Sequence, residues 1–493
     1  MLPESPEPLA RFASLQSRLV DEVVAGGPSA MRRGTLVVLP SITFPTEELR
    51  KIIGIQYYEE RMMYTLLSLR DPNLRLVYVT SIEVDPAIVD YYLSFLPQDV
   101  DALSRLTMIA VGDRAPSALT AKLLASDVTL ERIRAAIDPG GGYILPFNVT
   151  RLEAMFAEQI GLPLLGPHPD LIPLGSKSGS RRIAKVAGVP VLPGSEDLYS
   201  VAEVEDAIDD VREDNPDAEA VVVKLNNGFS GQGNAIIDLR TVRFPLVETP
   251  TVFCAAEESW ASFATKIEAE GAVVEELLRG AAIVSPSVQL SIAPDGSIET
   301  LSTHDQILGG PDDQVYLGCR FPARAEYRRA ILNLALESAK VLAEEGVFGS
   351  FGIDFIGIPD REDPDMYLSE INLRVGGTTH PFQMAQLITD GTYDFSTGEL
   401  SAGGRAKFYI STDNLKSDRY VGMTPADAVA AIERAGLGYD RATRTGTTLH
   451  LLGALKQYGK LGALCIANSY EAADELFENV VATLDVAGEV VGS

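Results

Sequence analysis

Residues 366–381 read MYLSEINLRVGGTTHP, a strand that runs out into a glycine turn. Side chains along a strand point alternately to opposite faces. Glu370, Asn372 and Arg374 therefore share one face, and Ile371, Leu373 and Val375 share the other. The second face is oily and suits a core. The first sets out a carboxylate, an amide oxygen and a guanidinium in steps of about 7 Å. Just upstream, GSFGIDFIGI (residues 349–358) alternates in the same way, with Phe351, Ile353 and Phe355 against Gly352 and Asp354. The polar run 359–364, bounded by prolines, closes a hairpin between the two strands. That hairpin predicts Asp354 beside Glu370 and Asn372. Two acids and an amide oxygen form a hard-oxygen site of the kind Mg²⁺ takes, with phosphate oxygens and water completing the shell. Arg374 lies next to the same phosphates. A solvated sheet face carrying a salt bridge has the same local pattern.

The bulk numbers frame this hairpin. The chain has 493 residues, room for about two to four domains of ordinary size. Hydrophobic residues make up 46%, enough for a substantial core. The 41 basic and 69 acidic residues leave a net charge of −28, which argues against non-specific nucleic-acid binding and against docking on anionic membranes. A nucleotide needs only a local positive pocket. Cys254, Cys319 and Cys465 are sparse and odd in number, which predicts a reducing cytoplasm rather than a disulfide framework. His168, His304, His380 and His450 pair with no cysteine at zinc spacing. The N-terminal MLPESPEPLARF lacks the apolar centre of a signal peptide, and no run of eighteen apolar residues predicts a membrane span.

Residues 1 to about 34 read as a tail or a loosely docked helix. From there strands at 35–42, 74–81, 105–113 and 141–147 alternate with helical patterns at 45–71, 85–97, 118–126, 129–137 and 149–161. Such alternation predicts a parallel, doubly wound sheet. A new unit starts near Pro167. A helix opens after Ser176 and stops at Gly188, and a second covers 201–213. Residues 220–239 are strand, glycine loop, strand; 271–278 is a strand; 284–302 is a hairpin; 326–346 is a long helix leading into the Asp354 strand. After about Ala406 a small unit mixes strands with helices at 424–436 and 469–486.

Lys224 ends an apolar strand, VVVK, and NNGFSGQGN follows. A strand ending in lysine before three glycines brings backbone N–H groups and one ammonium against phosphates. Gly228, Gly231 and Gly233 permit close approach, and Ser230 and Gln232 add donors. The loop lacks the GK[ST] ending of a P-loop, and a plain hairpin turn has the same composition. Lys177 opens a helix, where a cation is unfavourable unless an anion is also present; a solvated lysine is the alternative. VVEELL pairs an apolar strand with Glu275 and Glu276. His304, Asp305 and Gln306 follow a strand as candidate nucleotide neighbours. His380 follows Arg374 in the turn, near the metal site or in a structural role.

Lys177, then Lys224 with its glycine loop, then VVEELL, then Asp354, then Glu370-x-Asn372-x-Arg374: this order resembles the ATP-grasp ligases over residues 167–400. The resemblance implies that Lys177 and Lys224 contact phosphates or adenine, Lys224 with a catalytic part as well. It implies that the end of the Glu275–Glu276 strand holds adenine, chiefly through Glu276 C=O and Leu278 N–H. Asp354, Glu370 and Asn372 would bind two Mg²⁺, or Mn²⁺ in their place, and Arg374 would steady the transferred phosphoryl group. Ser230, Gly231, Gln232, Gly233 and Asp305 complete the nucleotide set. YYEERMMYTLLSLRDPNLRLVYVTS, LGSKSGSRR and LHLLGALKQYGKLG look like the actinobacterial peptide ligases of the pheganomycin type. That likeness implies an α/β and α+β chain: an extension (1–34), a Rossmann-like pre-ATP-grasp domain (35–166), a two-subdomain ATP-grasp fold (167–405, lid about 192–278) and a small C-terminal α+β domain (406–493). The flanking blocks carry no chemistry legible in their residues, and YYEERMMYTLLSLR reads as core packing.

The expected activity is an ADP-forming carboxylate–amine ligation through an acylphosphate, joining amino acids or peptides. Positioning and charge neutralisation would do most of the work. Its partners would be a small-molecule acid and amine, and a homodimer is among the assemblies the sequence allows. Rivals are an acylphosphate enzyme with a thiol or other acceptor, and an ATP-binding module without chemistry. A Rossmann oxidoreductase is disfavoured, because TLVVLPSITFP lacks the glycine turn such a site needs.

Overall fold

Four parallel strands form the first sheet, in the order Leu106–Ala110, Leu74–Thr80, Gly34–Leu39, Gly142–Pro146. The computed structural model describes residues 9–26, 34–228, 233–255, 257–279, 283–309, 315–359 and 365–491. Alternate residues of this sheet are buried on opposite faces. Val37, Leu39, Val77 and Val79 pack with Leu119, Leu123 and Phe156, while Leu36, Val38, Leu76 and Tyr78 join the larger cluster shared with the C-terminal strands. Strands buried on both sides require near-continuous apolar runs, and TLVVL and LVYV supply them.

Two N-terminal expectations change. The first helix, Ala10–Gly26, is firmly docked: Phe12, Leu15 and Leu19 are buried, and Gln16 bonds to both Gly166 O and Leu164 N. The apolar spacing of three and four residues provides the stripe. The single helix expected over 45–71 is instead a short α-helix, Thr46–Lys51, followed by a run of 3-10 turns over Ile55–Arg70. The α-helix stops at Ile52, which is extended, and Gly54, with φ of 71°, opens the second segment from a left-handed conformation that glycine adopts freely. The second segment is buried almost all round, so tertiary packing overrides helical preference. It runs between the first sheet, the helix Pro86–Leu93 and the C-terminal turn Leu452–Ala454.

Burial places two carboxylates inside that segment. Glu59 accepts from Ser81 N and Oγ, and Glu60 accepts from Gly453 N at 3.0 Å. Burial, reinforced by the neighbouring Glu59 charge, pushes the Glu60 carboxyl up to about 8 from an ordinary 4.5. Across that window the folded chain keeps a proton that the unfolded chain has lost. Stability therefore falls as pH rises from about 4.5 to 8 and levels off above. Glu60→Gln retains an acceptor for Gly453 and removes the titration. We expect its thermal midpoint at pH 8 to exceed the native one by about 2 °C or more, with no gain at pH 4, read by calorimetry at both values.

A second sheet is antiparallel, in the order Gly194–Leu198, Ala272–Glu276, Ala220–Leu225, Asn234–Asp238, Thr251–Phe253. The helices Val201–Asp214 and Trp260–Glu270 cover one face with Val204, Ile208, Phe263 and Ile267. The third sheet has ten strands among the described residues. It starts with Asp365–Asn372, Gly349–Ile358, Pro286–Ile292, Ile298–Gly309 and Val315–Phe321, then continues into Arg405–Lys416. Lys460–Ala467 pairs with Arg405–Lys416 and carries Gly446–His450 on its far side. The expected boundary near 405 is thus crossed by hydrogen-bonded strands. The helices Lys177–Ala187 and Ala325–Glu344 cover the oily face of the hairpin, where Phe351, Ile353, Phe355, Ile371 and Leu373 are buried. No described helix is long and apolar enough to cross a membrane.

Candidate active site

The hairpin forms as its alternation predicts. Asp354 and Glu370 are paired across antiparallel strands, with Gly352 opposite Asn372. A bulge follows Asp354, and directly opposed residues project to the same face of a sheet. Asn372 Nδ2 donates to Asp354 Oδ2 at 2.9 Å, and Gln306 Nε2 donates to Oδ1 at 2.8 Å. Arg374 Nη2 donates to Asn372 Oδ1 at 2.8 Å. Lys177 Nζ pairs with Glu370 Oε1 at 2.5 Å and donates to Gly228 O at 3.1 Å. Ser176 caps the helix that Lys177 opens, accepting from Gly179 N, so the lysine is held at a fixed point of the site.

The electrostatics favour a cation between the two acids. Burial pushes the Asp354 carboxyl up to about 7, and the Glu370 charge adds to the rise. Burial also lowers the Arg374 guanidinium below its usual range, against the opposing pull of Glu370 and Asp354. Two carboxylates crowded in a low-dielectric site repel each other, and a divalent cation removes that repulsion. Asp354, Glu370 and the amide of Asn372 are hard oxygen donors of the type Mg²⁺ prefers, so the donor set fits the expected ion.

Two cavities meet at this point. The larger, about 680 Å³, is lined by Lys177, Val222, Lys224, Glu276, Leu278 and Asp305, among others. The smaller, about 450 Å³, lies on the other side and reaches toward the first sheet and the C-terminal strands. Asp354, Glu370, Gln306 and Leu308 belong to both walls. Lys224 reaches Ser369 Oγ at 3.5 Å and pairs with Glu275 at 2.6 Å. Asp305 accepts from Tyr327 Oη at 2.6 Å and Arg324 N at 3.1 Å, and burial raises its carboxyl.

Several predicted site residues take other places. Glu275 does not line the larger cavity. Its buried carboxylate is the shared counter-ion of Arg181, at 2.8 Å, and Lys224. Burial alone would raise that carboxyl, but the two cations hold it below the usual range. Glu276, one residue on, faces the cavity and accepts from Asn215 Nδ2 at 3.1 Å. Gly233 closes the glycine hairpin instead of lining the cavity. A Cβ on Gly233 would stand 2.9 Å from the Cα of Gly228. Ser230, Gly231 and Gln232 lie outside the described residues. His304 is buried on Tyr409, at 2.6 Å, and burial lowers its imidazole to about 3. His380 is likewise buried, on Asp413 at 3.0 Å, and lines neither cavity.

Other lining residues went unread in the sequence. Arg320, Arg324 and Tyr327 line the larger cavity, and Tyr58, Arg61 and Lys460 the smaller. The signal for Tyr58 and Arg61 was their spacing of three within a run that is otherwise core.

The smaller cavity draws its lining from the N-terminal region, the hairpin sheet and the C-terminal strands, and a likeness to a known protein spans the same regions. The chain is 32% identical over 452 residues to the L-propargylglycine–L-glutamate ligase of Streptantibioticus cattleyicolor, covering 89% of this chain and 92% of that one. This protein is an ATP-grasp ligase.

Two family models match parts of the chain. An "IQCH-like, ATP-grasp" model matches residues 172–250 and 247–396, and a "PGM1 C-terminal domain" model matches residues 427–480. Among solved structures, the biotin carboxylase of Campylobacter jejuni in its β,γ-ATP complex aligns with a TM-score of 0.56 at 14% identity, covering 94% of this chain and 96% of that one. The N5-carboxyaminoimidazole synthetase of Staphylococcus aureus complexed with ADP aligns at 0.52 and 13%, covering 92% and 97%. At such identities the likeness is one of fold. The ATP-grasp architecture is therefore shared well beyond the hairpin, and the expected α/β and α+β organisation holds.

Proposed function

We propose that this ATP-grasp ligase joins a small carboxylic acid to an amine, with amino acids or peptides as substrates, and forms ADP. The observation that carries this reading is the pair Asp354–Glu370 at the junction of two cavities. The larger suits a nucleotide and the smaller suits the reacting acid and amine. The relative named for L-propargylglycine and L-glutamate supports amino-acid substrates.

In this reading a substrate carboxylate attacks the γ-phosphate of ATP, ADP departs, and the acylphosphate remains. The amine then attacks the acyl carbon, phosphate leaves, and an amide forms with loss of the amine proton. Lys177 and Lys224 hold the phosphates. Arg374, oriented by Asn372, stabilises charge on the transferred group. Glu276 C=O and Leu278 N–H hold adenine beside Asp305, and the sequence of the glycine loop offers Ser230, Gly231 and Gln232 as further phosphate donors. Magnesium bound at Asp354, Glu370 and Asn372, as two ions, supplies charge neutralisation on the phosphates, and Mn²⁺ would substitute. Residues 192–278 act as a lid that excludes water from the acylphosphate. The remaining divisions are 1–34, 35–166 and 406–493. The buried thiols of Cys319 and Cys465 suit a reducing cytoplasm.

The test is purified protein with ATP, Mg²⁺ and a panel of acids and amines. ADP release should require an acid, and hydroxylamine in place of the amine should yield the hydroxamate of that acid. Absence of ADP release across the panel, or release of AMP, would overturn the proposal.

A further inference from the structure

The wall of the smaller cavity away from the metal-site acids is cationic, in a chain whose net charge is −28. Lys51, Arg61, Lys416 and Lys460 all line it. Lys51 is engaged by Glu48 and Glu257. Neither Lys416 nor Lys460 has a carboxylate partner among the described residues. Lys460 Nζ touches Tyr58 Oη at 2.5 Å, and the Arg61 guanidinium lies 4.3 Å from the centre of the Tyr58 ring. Arg61 is paired on one side only, with Asp413 at 2.6 Å, and its buried Nε has no partner among the described residues. A buried donor without an acceptor is costly unless a ligand completes it.

Asp413 is itself locked. His450 Nε2 lies 2.6 Å and His380 Nε2 3.0 Å from its Oδ1. These three side chains are near enough together to suggest a metal site, but the Arg61 guanidinium already supplies the cation there. The Arg61 arm thus comes from the N-terminal region and is oriented by groups from the helix Thr379–Thr389 and the C-terminal strands.

We propose that Arg61 and Lys460 bind a second, non-reacting carboxylate on a substrate in this cavity, and that Asp413, His380 and His450 are positioning residues for Arg61. The substrate class is an amino acid or short peptide whose free carboxylate is read while another group reacts. A guanidinium fork matches a carboxylate in geometry as well as charge. The inference rests on the ligase reading only for calling the occupant a substrate.

The test is calorimetric titration of the MgADP-loaded protein with L-alanine, L-valine, L-phenylalanine, L-glutamate and the dipeptide L-alanyl-L-alanine, each beside its C-terminal amide. At least one free acid should bind, and its amide should bind about 30-fold more weakly. Arg61→Gln should bring acid and amide to within about threefold, Arg61→Lys should restore part of the preference, and Asp413→Asn should reduce it. Lys460→Gln, at the edge of the cavity, should lower the ratio even if the Arg61 variants fail to fold. Binding of no acid, equal binding of amides, or a preference unchanged in these variants would overturn the proposal. Binding needs no turnover. A chain that binds acids selectively but releases no ADP would refute the ligase reading and leave this one standing.

Discussion

Glu370→Gln is expected to lower ADP release by about 10³-fold or more at saturating ATP and Mg²⁺. Loss of one preorganised electrostatic group at a reacting phosphate typically costs about 10²–10³ in rate, and Glu370 serves two partners. It faces Asp354 across the hairpin and anchors Lys177 at 2.5 Å. The amide keeps the shape but removes the charge, so the second carboxylate of the proposed cation site and the lysine's counter-ion both go. The Asp354 carboxyl, now about 7 through burial and the Glu370 charge, should fall toward its ordinary value when that charge is removed. Cation binding would then depend less on pH between about 6 and 8, a change readable as Mg²⁺ activation at each pH. Folding should be preserved, because the Ile371 and Leu373 face is untouched. Unchanged turnover in a folded Glu370→Gln protein would remove the metal-site assignment.

Glu275→Ala should have the largest effect on stability. Its carboxylate is buried between Arg181, also buried, and Lys224. Removing one partner of a buried ion pair leaves the other charges uncompensated and costs about 3–5 kcal/mol. Arg181 retains Glu196 and the carbonyls of Leu192 and Gly194, which puts the expected loss near the lower end, about 3 kcal/mol. Denaturant unfolding of the second sheet's signal measures it. Lys224 would also lose its anchor, so MgADP affinity should change in the same variant. Glu276→Gln is the matched control. Its carboxylate is partly exposed on Asn215, and its stability should move by less than about 1 kcal/mol.

The two glutamates show where sequence reading stops. Neighbours in VVEELL, they look equivalent, yet strand alternation sends one into an ionic core and the other to the cavity. Which face is which depends on Arg181, a residue 94 positions away in sequence. Tyr58 and Arg61 show the same limit. They sit in a segment whose apolar residues dominate its pattern, and only the approach of Asp413 and Lys460 turns them into a cavity wall.

From sequence alone came the parallel first sheet, the glycine hairpin after Lys224 and the convergence of Asp354, Glu370 and Asn372. Each rests on short-range rules: period-two alternation, turn residues and capping, which act over a few residues and leave a local signature. Tertiary structure alone decided the 3-10 run over Ile55–Arg70, the burial of His304 and His380, the counter-ion role of Glu275 and the cationic second cavity. Those features depend on which distant groups exclude water from one another, and desolvation has no local pattern to read.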